Sequence, residues 1–290
     1  MTATNILITG ATGNIGAELA QQLAAQGIPF RAMVRKSDSK SNSLAALPGA
    51  EIVTADFTDP HSITRALKGI EKAFLLTNSS EQAEELQTNF VDTAIAAGVQ
   101  HIVKLSQLHA AAGSPVRFLR YHAAVEEKIR LSGLQYTFLR PNLFMQGLLG
   151  FRDPIVKLNK FFAAVGDAAI SIVDIRDIAT VAAISLTAPG HTGQIYDITG
   201  PEALTHPQMA AYLSKALNRS ITYIDVSPEE MRQALLQVGF PQWQADGLIE
   251  DYAHYARGEA AAVSTAIQDV TGKAPRDFQH FAKDYASLFM

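Results

Sequence analysis

A chain of 290 residues, 48% hydrophobic and 18% charged, has enough apolar material for one large domain or for a domain with a smaller lobe. A net charge of −4 and a pI near 6.1 leave no basic surface for nucleic acid or an anionic membrane, so neither is expected as a partner. There is no cysteine, and no two of the eight histidines stand at His-x-x-x-His spacing, so disulfides, thiolate metal sites and a metal cofactor are not expected. The first apolar run starts a few residues from Met1, which leaves no room for a signal peptide. No apolar run approaches the roughly 18 residues of a membrane span, and a cytoplasmic location is expected.

Ile6, Leu7 and Ile8 are an unbroken apolar run ending in glycine, the pattern of a strand buried on both faces of a parallel sheet. Ile15, Leu19 and Leu23 then recur every four residues, which predicts a helix packed back onto that sheet. Between them stands Gly10-Ala11-Thr12-Gly13-Asn14-Ile15-Gly16. Gly10 suits the positive φ of a tight turn, Gly13 leaves room for a ligand's backbone, and Gly16 lets helix and strand approach. Backbone N–H groups at the helix start then face an anion, and the pyrophosphate of a dinucleotide fits that description. Thr12 and Asn14 offer further donors to phosphate. The spacing is Gly-x-x-Gly-x-x-Gly, not the commoner Gly-x-Gly-x-x-Gly, so the strand–turn–helix context carries the reading. With Thr9 included, Thr-Gly-Ala-Thr-Gly-Asn-Ile-Gly resembles the extended and atypical short-chain dehydrogenase/reductase superfamily.

Phe30 to Val34 is predicted as the second strand, ending in Arg35-Lys36-Ser37-Asp38. An Asp or Glu about 20 residues after the turn would bind the ribose 2′-OH of NAD, whereas an Arg nearby accommodates the 2′-phosphate of NADP. Arg35 stands there with no carboxylate before Asp38, which favours NADP(H); the other reading of Arg35 is a solvated surface residue. Glu51 to Thr54 is a third strand, with a helix from Pro60 through Leu67. The superfamily resemblance implies that Asp56 meets the adenine and Phe57 packs on its ring; Asp56 reads equally as a turn or cap residue. Ala73 to Thr77 is a fourth strand, with Thr77, Asn78 and Ser79 expected beside the cofactor ribose. A helix follows over Gln82 to Ala97 with Leu86, Phe90 and Ile95 as its apolar face, and the fifth strand, His101 to Leu105, ends at Ser106. Gly10, Arg35, Asp56, Thr77 and Ser106 thus all lie at carboxyl ends of strands, where open parallel sheets bind ligands.

Most short-chain dehydrogenases use a Tyr with a Lys four residues later, and none of the eight tyrosines here has one. The predicted helix Arg117 to Leu131 instead carries His122 and Glu126 on one face. A carboxylate one turn away favours imidazole protonation, which makes His122 the candidate catalytic residue, as proton donor or substrate hydrogen-bonder; the alternative is a partly exposed histidine with an ordinary ion-pair neighbour. These features, with Ser132-Gly133-Leu134-Gln135-Tyr136-Thr137-Phe138-Leu139-Arg140-Pro141-Asn142-Leu143-Phe144-Met145, resemble the NmrA-like atypical short-chain reductases. That group includes NADPH-dependent quinone oxidoreductases, azoreductases and triphenylmethane reductases, and redox-sensing regulators that bind NADP without turnover. The resemblance implies that Asn142 and Phe144 lie near the nicotinamide.

Tyr136 to Leu139 is a sixth strand, and residues 143 to 164 are apolar enough for a pocket wall or for plain core. Ser171 to Ala179 opens a helix in which Asp174 and Asp177 read as cap and ion-pair residues. Gln194 to Thr199 is a last sheet strand. Helices are predicted at Pro207 to Leu217, Pro228 to Val238, Gln242 to Arg257 and from Pro275 onward, with a short strand at Ile221 to Ile224. Trp243, the only tryptophan, is read as an anchor of the small lobe in preference to a pocket residue. The expected architecture is a doubly wound parallel α/β Rossmann sheet (1–141 and 174–199) with a smaller, mainly helical C-terminal substrate lobe (142–173 and 200–290). The expected activity is direct hydride transfer from NADPH to a small aromatic acceptor held between the two, a quinone, azo compound or similar dye. A non-enzymatic NADP(H) sensor is the competing class, a sugar-nucleotide epimerase a weaker third, and a homodimer is compatible with either of the first two.

Overall fold

The computed structural model describes residues 5–290. Its strands are β1 (Ile6–Ile8), β2 (Phe30–Val34), β3 (Ala50–Thr54), β4 (Lys72–Leu75), β5 (His101–Leu105), β6 (Gln135–Pro141), β7 (Lys160–Ala163), β8 (Gln194–Ile198) and β9 (Thr222–Asp225). The central sheet has the order β3-β2-β1-β4-β5-β6-β8, and β1 through β6 pair in parallel. Strand order reverses between β1 and β4, the switch point of a doubly wound fold, so the expected class is the observed one. β1 is buried on both faces because helices cover both sides of a parallel sheet.

The helices are α1 (Asn14–Ala25), α2 (Ser39–Ala45), α3 (Pro60–Ala66), α4 (Ala83–Ala96), α5 (Arg117–Leu131), α6 (Arg152–Leu158), α7 (Ile175–Thr187), α8 (His206–Leu217), α9 (Pro228–Gln237), α10 (Gln242–Ala256), α11 (Ala266–Thr271) and α12 (Phe278–Asp284). Several are fixed by local chemistry. Asp38 caps α2 through Lys40 N and Ser41 N, and Asp59 with Pro60 starts α3. Thr205/Gln208 and Ser227/Glu230 form capping boxes at α8 and α9. None of the described helices is long and apolar enough to cross a membrane.

The chain divides into two compact units. The first comprises the chain up to Gly113, Leu119–Arg140 and Ile178–Tyr196. In its core, Leu7, Leu75 and Ile102 of the sheet meet Ile63 of α3, Phe90, Val91 and Ala94 of α4, and Val125 and Ile129 of α5. Lys72 Nζ donates to Leu186 O at 2.7 Å, which ties α7 to β4. The second unit comprises Ser114–Phe118, Pro141–Asp177 and Asp197 onward. Its core gathers Phe161, Leu213, Tyr252, Phe278 and Phe281.

Two expectations need correction, and two features go beyond what was expected. Ile95 is 42% exposed; the buried face of α4 is Ala83, Gln87, Phe90, Val91 and Ala94, which follows the helical period more closely. The fourth strand stops at Leu75, so Thr77 lies on the following loop. The apolar stretch 143–164 forms a 3-10 turn (Met145–Phe151), α6 and β7, and β7 pairs in parallel with β9. The second unit therefore carries a two-stranded sheet of its own as well as its helices. Helix α2, absent from the sequence reading, owes its existence to the Asp38 cap rather than to apolar periodicity.

Candidate active site

The loop after β1 sets the geometry. Thr9 Oγ1 donates to Phe74 O at 2.9 Å and Leu76 O at 3.0 Å and accepts from Leu76 N at 2.8 Å, so β1 and β4 end together. Gly10 adopts φ +61°, and Gly13 N donates back to Gly10 O at 2.9 Å. A Cβ on Gly16 would stand 2.3 Å from Gly10 O, so close approach requires that glycine, whereas one on Gly13 would stand 3.2 Å from the same atom, a tight contact that a shift of a few tenths of an ångström relieves. Helix α1 has no side-chain cap and no acidic residue in its first turn, which leaves its N–H groups open to an anion. Ala11 and Ile15 are buried beneath the turn, while Thr12 is half-buried and Asn14 exposed.

Arg35 and Lys36 are exposed at the end of β2. Arg35 makes no hydrogen bond or ion pair among the described residues. Asp38 Oδ1 is engaged in capping α2. Asp56 Oδ1 accepts from Thr58 N at 2.8 Å and Thr58 Oγ1 at 2.7 Å. These bonds, with the nearby charge of Arg35, hold its carboxyl below the usual range. They are the bonds of a turn residue. Phe57 packs at 5.5 Å on Phe90 and belongs to the edge of the core. Thr77 Oγ1 accepts from Gln87 Nε2 at 2.8 Å; Gln87 Oε1 is buried without a partner among the described residues, an opening for a donor from a bound group. Asn78 is exposed, and Ser79 Oγ shares a hydrogen bond with Tyr121 OH at 3.2 Å.

The ends of β5 and β6 meet α5 in a buried polar cluster. Ser106 Oγ donates to Glu126 Oε1 at 2.6 Å, and Arg140 Nε donates to the same oxygen at 2.9 Å while its Nη2 binds Oε2. Glu126 is 1% exposed. His122 does not pair with it. His122 Nδ1 lies instead 2.8 Å from Nζ of Lys104, which is fully buried and also donates to Leu105 O at 3.0 Å. The expectation that Glu126 promotes protonation of His122 is overturned: burial first, and the charge of Lys104 second, push the imidazole well below its usual value. Burial, with Arg140 adding and Glu126 opposing, brings Lys104 down to about 7. His122 is a neutral ring at physiological pH, and a neutral imidazole N–H is a hydrogen-bond donor, not an acid.

Asn142 and Phe144 lie in the second unit. Asn142 Nδ2 donates to Ser171 Oγ at 2.8 Å and Ala260 O at 2.9 Å, and its Oδ1 accepts from Leu143 N at 2.8 Å, so its amide is engaged in holding that unit's chain together. Phe144 is half-buried in a bridge with Val173. Asp174 accepts from Arg176 and Asp177 from Arg276, the cap and ion-pair roles read from sequence. The Trp243 ring packs on Phe118 at 5.4 Å with the Arg117 guanidinium 5.5 Å away, an anchor's environment.

The first unit thus brings together the glycine turn, Thr77, Ser79, Ser106 and His122 around the carboxyl ends of β1, β4 and β5. Lys104, Arg140, Gln87 and Tyr121 escaped the sequence reading. For Lys104 there was a signal: a lone cation inside His101-Ile102-Val103-Lys104-Leu105, a strand otherwise apolar enough to be buried, must find a partner.

An α/β protein with a glycine turn at the switch point and a basic second strand end is of dinucleotide-binding type. The chain belongs to the NmrA-like family, whose model matches residues 2–282. It is 35% identical over 284 residues to the NAD(P)H azoreductase of Xenophilus azovorans, covering 98% of this chain and 99% of that one. It is 33% identical over 285 residues, with the same coverage, to a (4-alkanoyl-5-oxo-2,5-dihydrofuran-3-yl)methyl phosphate reductase of Streptomyces griseus. Among solved structures, the NADPH-dependent quinone oxidoreductase QOR2 of Escherichia coli in complex with NADPH matches with a TM-score of 0.86 at 30% identity, over 96% of this chain and 99% of that one.

Proposed function

We propose that this chain is an NADPH-dependent reductase that passes hydride directly to a conjugated aromatic acceptor, a quinone or an azo compound. The observation that carries the reading is an uncapped glycine turn beside an exposed, unbonded Arg35, in a chain that matches an NAD(P)H azoreductase along nearly its whole length. The residues present fit the cofactor: Gly10 to Asn14 leave room and N–H donors for a pyrophosphate, Arg35 suits a 2′-phosphate, and Thr77 with Gln87 behind it suits a ribose hydroxyl.

NADPH supplies the hydride when bound. What the chain adds is orientation and a fixed hydrogen-bond donor. The Ser106 hydroxyl donates its hydrogen bond to Glu126 and so meets a ligand only as an acceptor. His122, neutral and buried, donates a hydrogen bond but does not surrender a proton. Such a site lacks the strong acid that reduction of a simple ketone requires, whereas a quinone or azo compound spreads the incoming charge and takes its proton from water. The test is oxidation of NADPH in the presence of a simple benzoquinone or an azo dye, with C4-deuterated NADPH passing its label from one face only. Intact NADPH binding with no acceptor-dependent oxidation across quinones, azo dyes and triphenylmethane dyes overturns the reading in favour of a sensor.

A further inference from the structure

Lys104 is a fully buried cation that the proposed function leaves idle. It is 0% exposed in a strand covered on both faces, where an ammonium must find hydrogen-bond partners to be tolerated. It has two: Leu105 O at 3.0 Å and His122 Nδ1 at 2.8 Å. An ammonium has three donors and no acceptor. The nitrogen that faces it must therefore offer a lone pair, which places the imidazole proton on Nε2. Nε2 has no hydrogen-bond partner among the described residues. The groups around the pair do not compete for it: Glu126 on α5 is taken up by Ser106, Arg140 and Arg130, Arg140 comes from β6, and the Tyr121 ring lies against the His122 ring at 4.1 Å.

We propose that Lys104 is a positioning residue that locks His122 in its Nε2–H tautomer, and that this N–H is the donor for the acceptor atom on which negative charge gathers as hydride arrives. The proposal rests on the reductase reading and deepens it. The acceptor atom is a quinone oxygen or an azo nitrogen. His122 keeps its proton throughout; the reduced acceptor, an anion after gaining hydride, takes its proton from water. A donor aimed in advance at developing charge contributes most where water is excluded. The lock has a pH limit. Once Lys104 loses its proton, its lone pair accepts from Nδ1–H as readily as its N–H donates, and Nε2–H is no longer enforced.

The experiment reads the ring nitrogens of His122 by 15N NMR in the whole chain, wild type and Lys104→Met, beside steady-state kinetics with NADPH and benzoquinone. In the wild type at pH 6, Nδ1 is expected to be unprotonated and Nε2 protonated. In Lys104→Met, both tautomers are expected, the imidazole titrates closer to its ordinary range, and kcat falls roughly tenfold while NADPH affinity stays within about twofold. Methionine matches the length of the lysine stem and removes a buried charge, so the variant retains the packing of β5. A wild-type ring protonated on Nδ1 overturns the proposal without recourse to any variant. An unchanged tautomer in Lys104→Met overturns the positioning role, and a shifted tautomer with unchanged kcat overturns the donor role. A wild type that binds NADPH but reduces no acceptor removes the reductase reading and the donor role with it, while the spectrum still decides the tautomer.

Discussion

Arg35 is the residue on which cofactor choice turns. Its guanidinium is exposed at the end of β2, makes no hydrogen bond or ion pair among the described residues, and stands near the Asp56 carboxylate, while Asp38 caps α2. If it holds a 2′-phosphate by charge-assisted hydrogen bonds, Arg35→Ala should lose roughly 1.5 to 3 kcal/mol of NADPH binding, about 10 to 150-fold in affinity. NADH binding should hardly change. Titration of both cofactors by fluorescence checks this, and equal weakening would assign Arg35 another task. Asp56 shows the opposite case. From sequence it reads equally as an adenine contact or as a turn or cap residue, and in the structure Thr58 supplies both donors of a turn.

At the scale of elements, Glu126 is the joint between α5 and the ends of β5 and β6. It receives Ser106 from one strand and Arg140 from the other, 20 and 14 residues away in sequence. Removing it would leave the Arg140 guanidinium, 19% exposed, without its carboxylate. Glu126→Ala should therefore destabilise the chain by about 3 kcal/mol, read as a lower urea midpoint, the range expected when one partner of a buried pair is deleted. Loss well under about 1 kcal/mol would mean that water replaces the carboxylate and that the cluster is less closed than its geometry implies. The exact helix range Arg117–Leu131 and the i, i+4 spacing of His122 and Glu126 were legible in the sequence. Their partners were not, because residues that share a helix face can point at different strand ends.

For the molecule as a whole, buried histidines set the acid limit. Burial brings His101, in the first unit, and His206, in the second, down to about 4, and His122 is also lowered. The charges of Lys72 and His191 add to the effect at His101, and Asp225 opposes it at His206. The unfolded chain binds these protons near pH 6.5 and the folded chain does not, so stability falls as pH drops from about 6.5 towards 4. Each such histidine contributes a slope of up to about 1.4 kcal/mol per pH unit. Urea unfolding at a series of pH values should show this decline. His206→Phe, which keeps a ring among Phe161, Tyr223 and Tyr252 and removes an Nδ1 that has no partner among the described residues, should make it shallower. A midpoint that is flat over that window would show that these rings are protonated in the folded state.

The sequence by itself determined the alternation of strands and helices, the glycine turn, the basic end of the second strand and the want of a Tyr/Lys pair. Each of these is written within a dozen neighbouring residues, where periodicity and turn chemistry act. Only the tertiary structure decided that His122 faces Lys104, 18 residues away, and not Glu126, one turn along its own helix. It also decided that β7 finds β9 across some sixty residues of chain, as Lys160 opposite Thr222. The register of β5 on β6, and the seating of α5 through Val125 and Ile129, select which strand-end side chain each helix residue meets. Once the cluster is buried, desolvation and the neighbouring ammonium, not sequence spacing, set the charge of the ring.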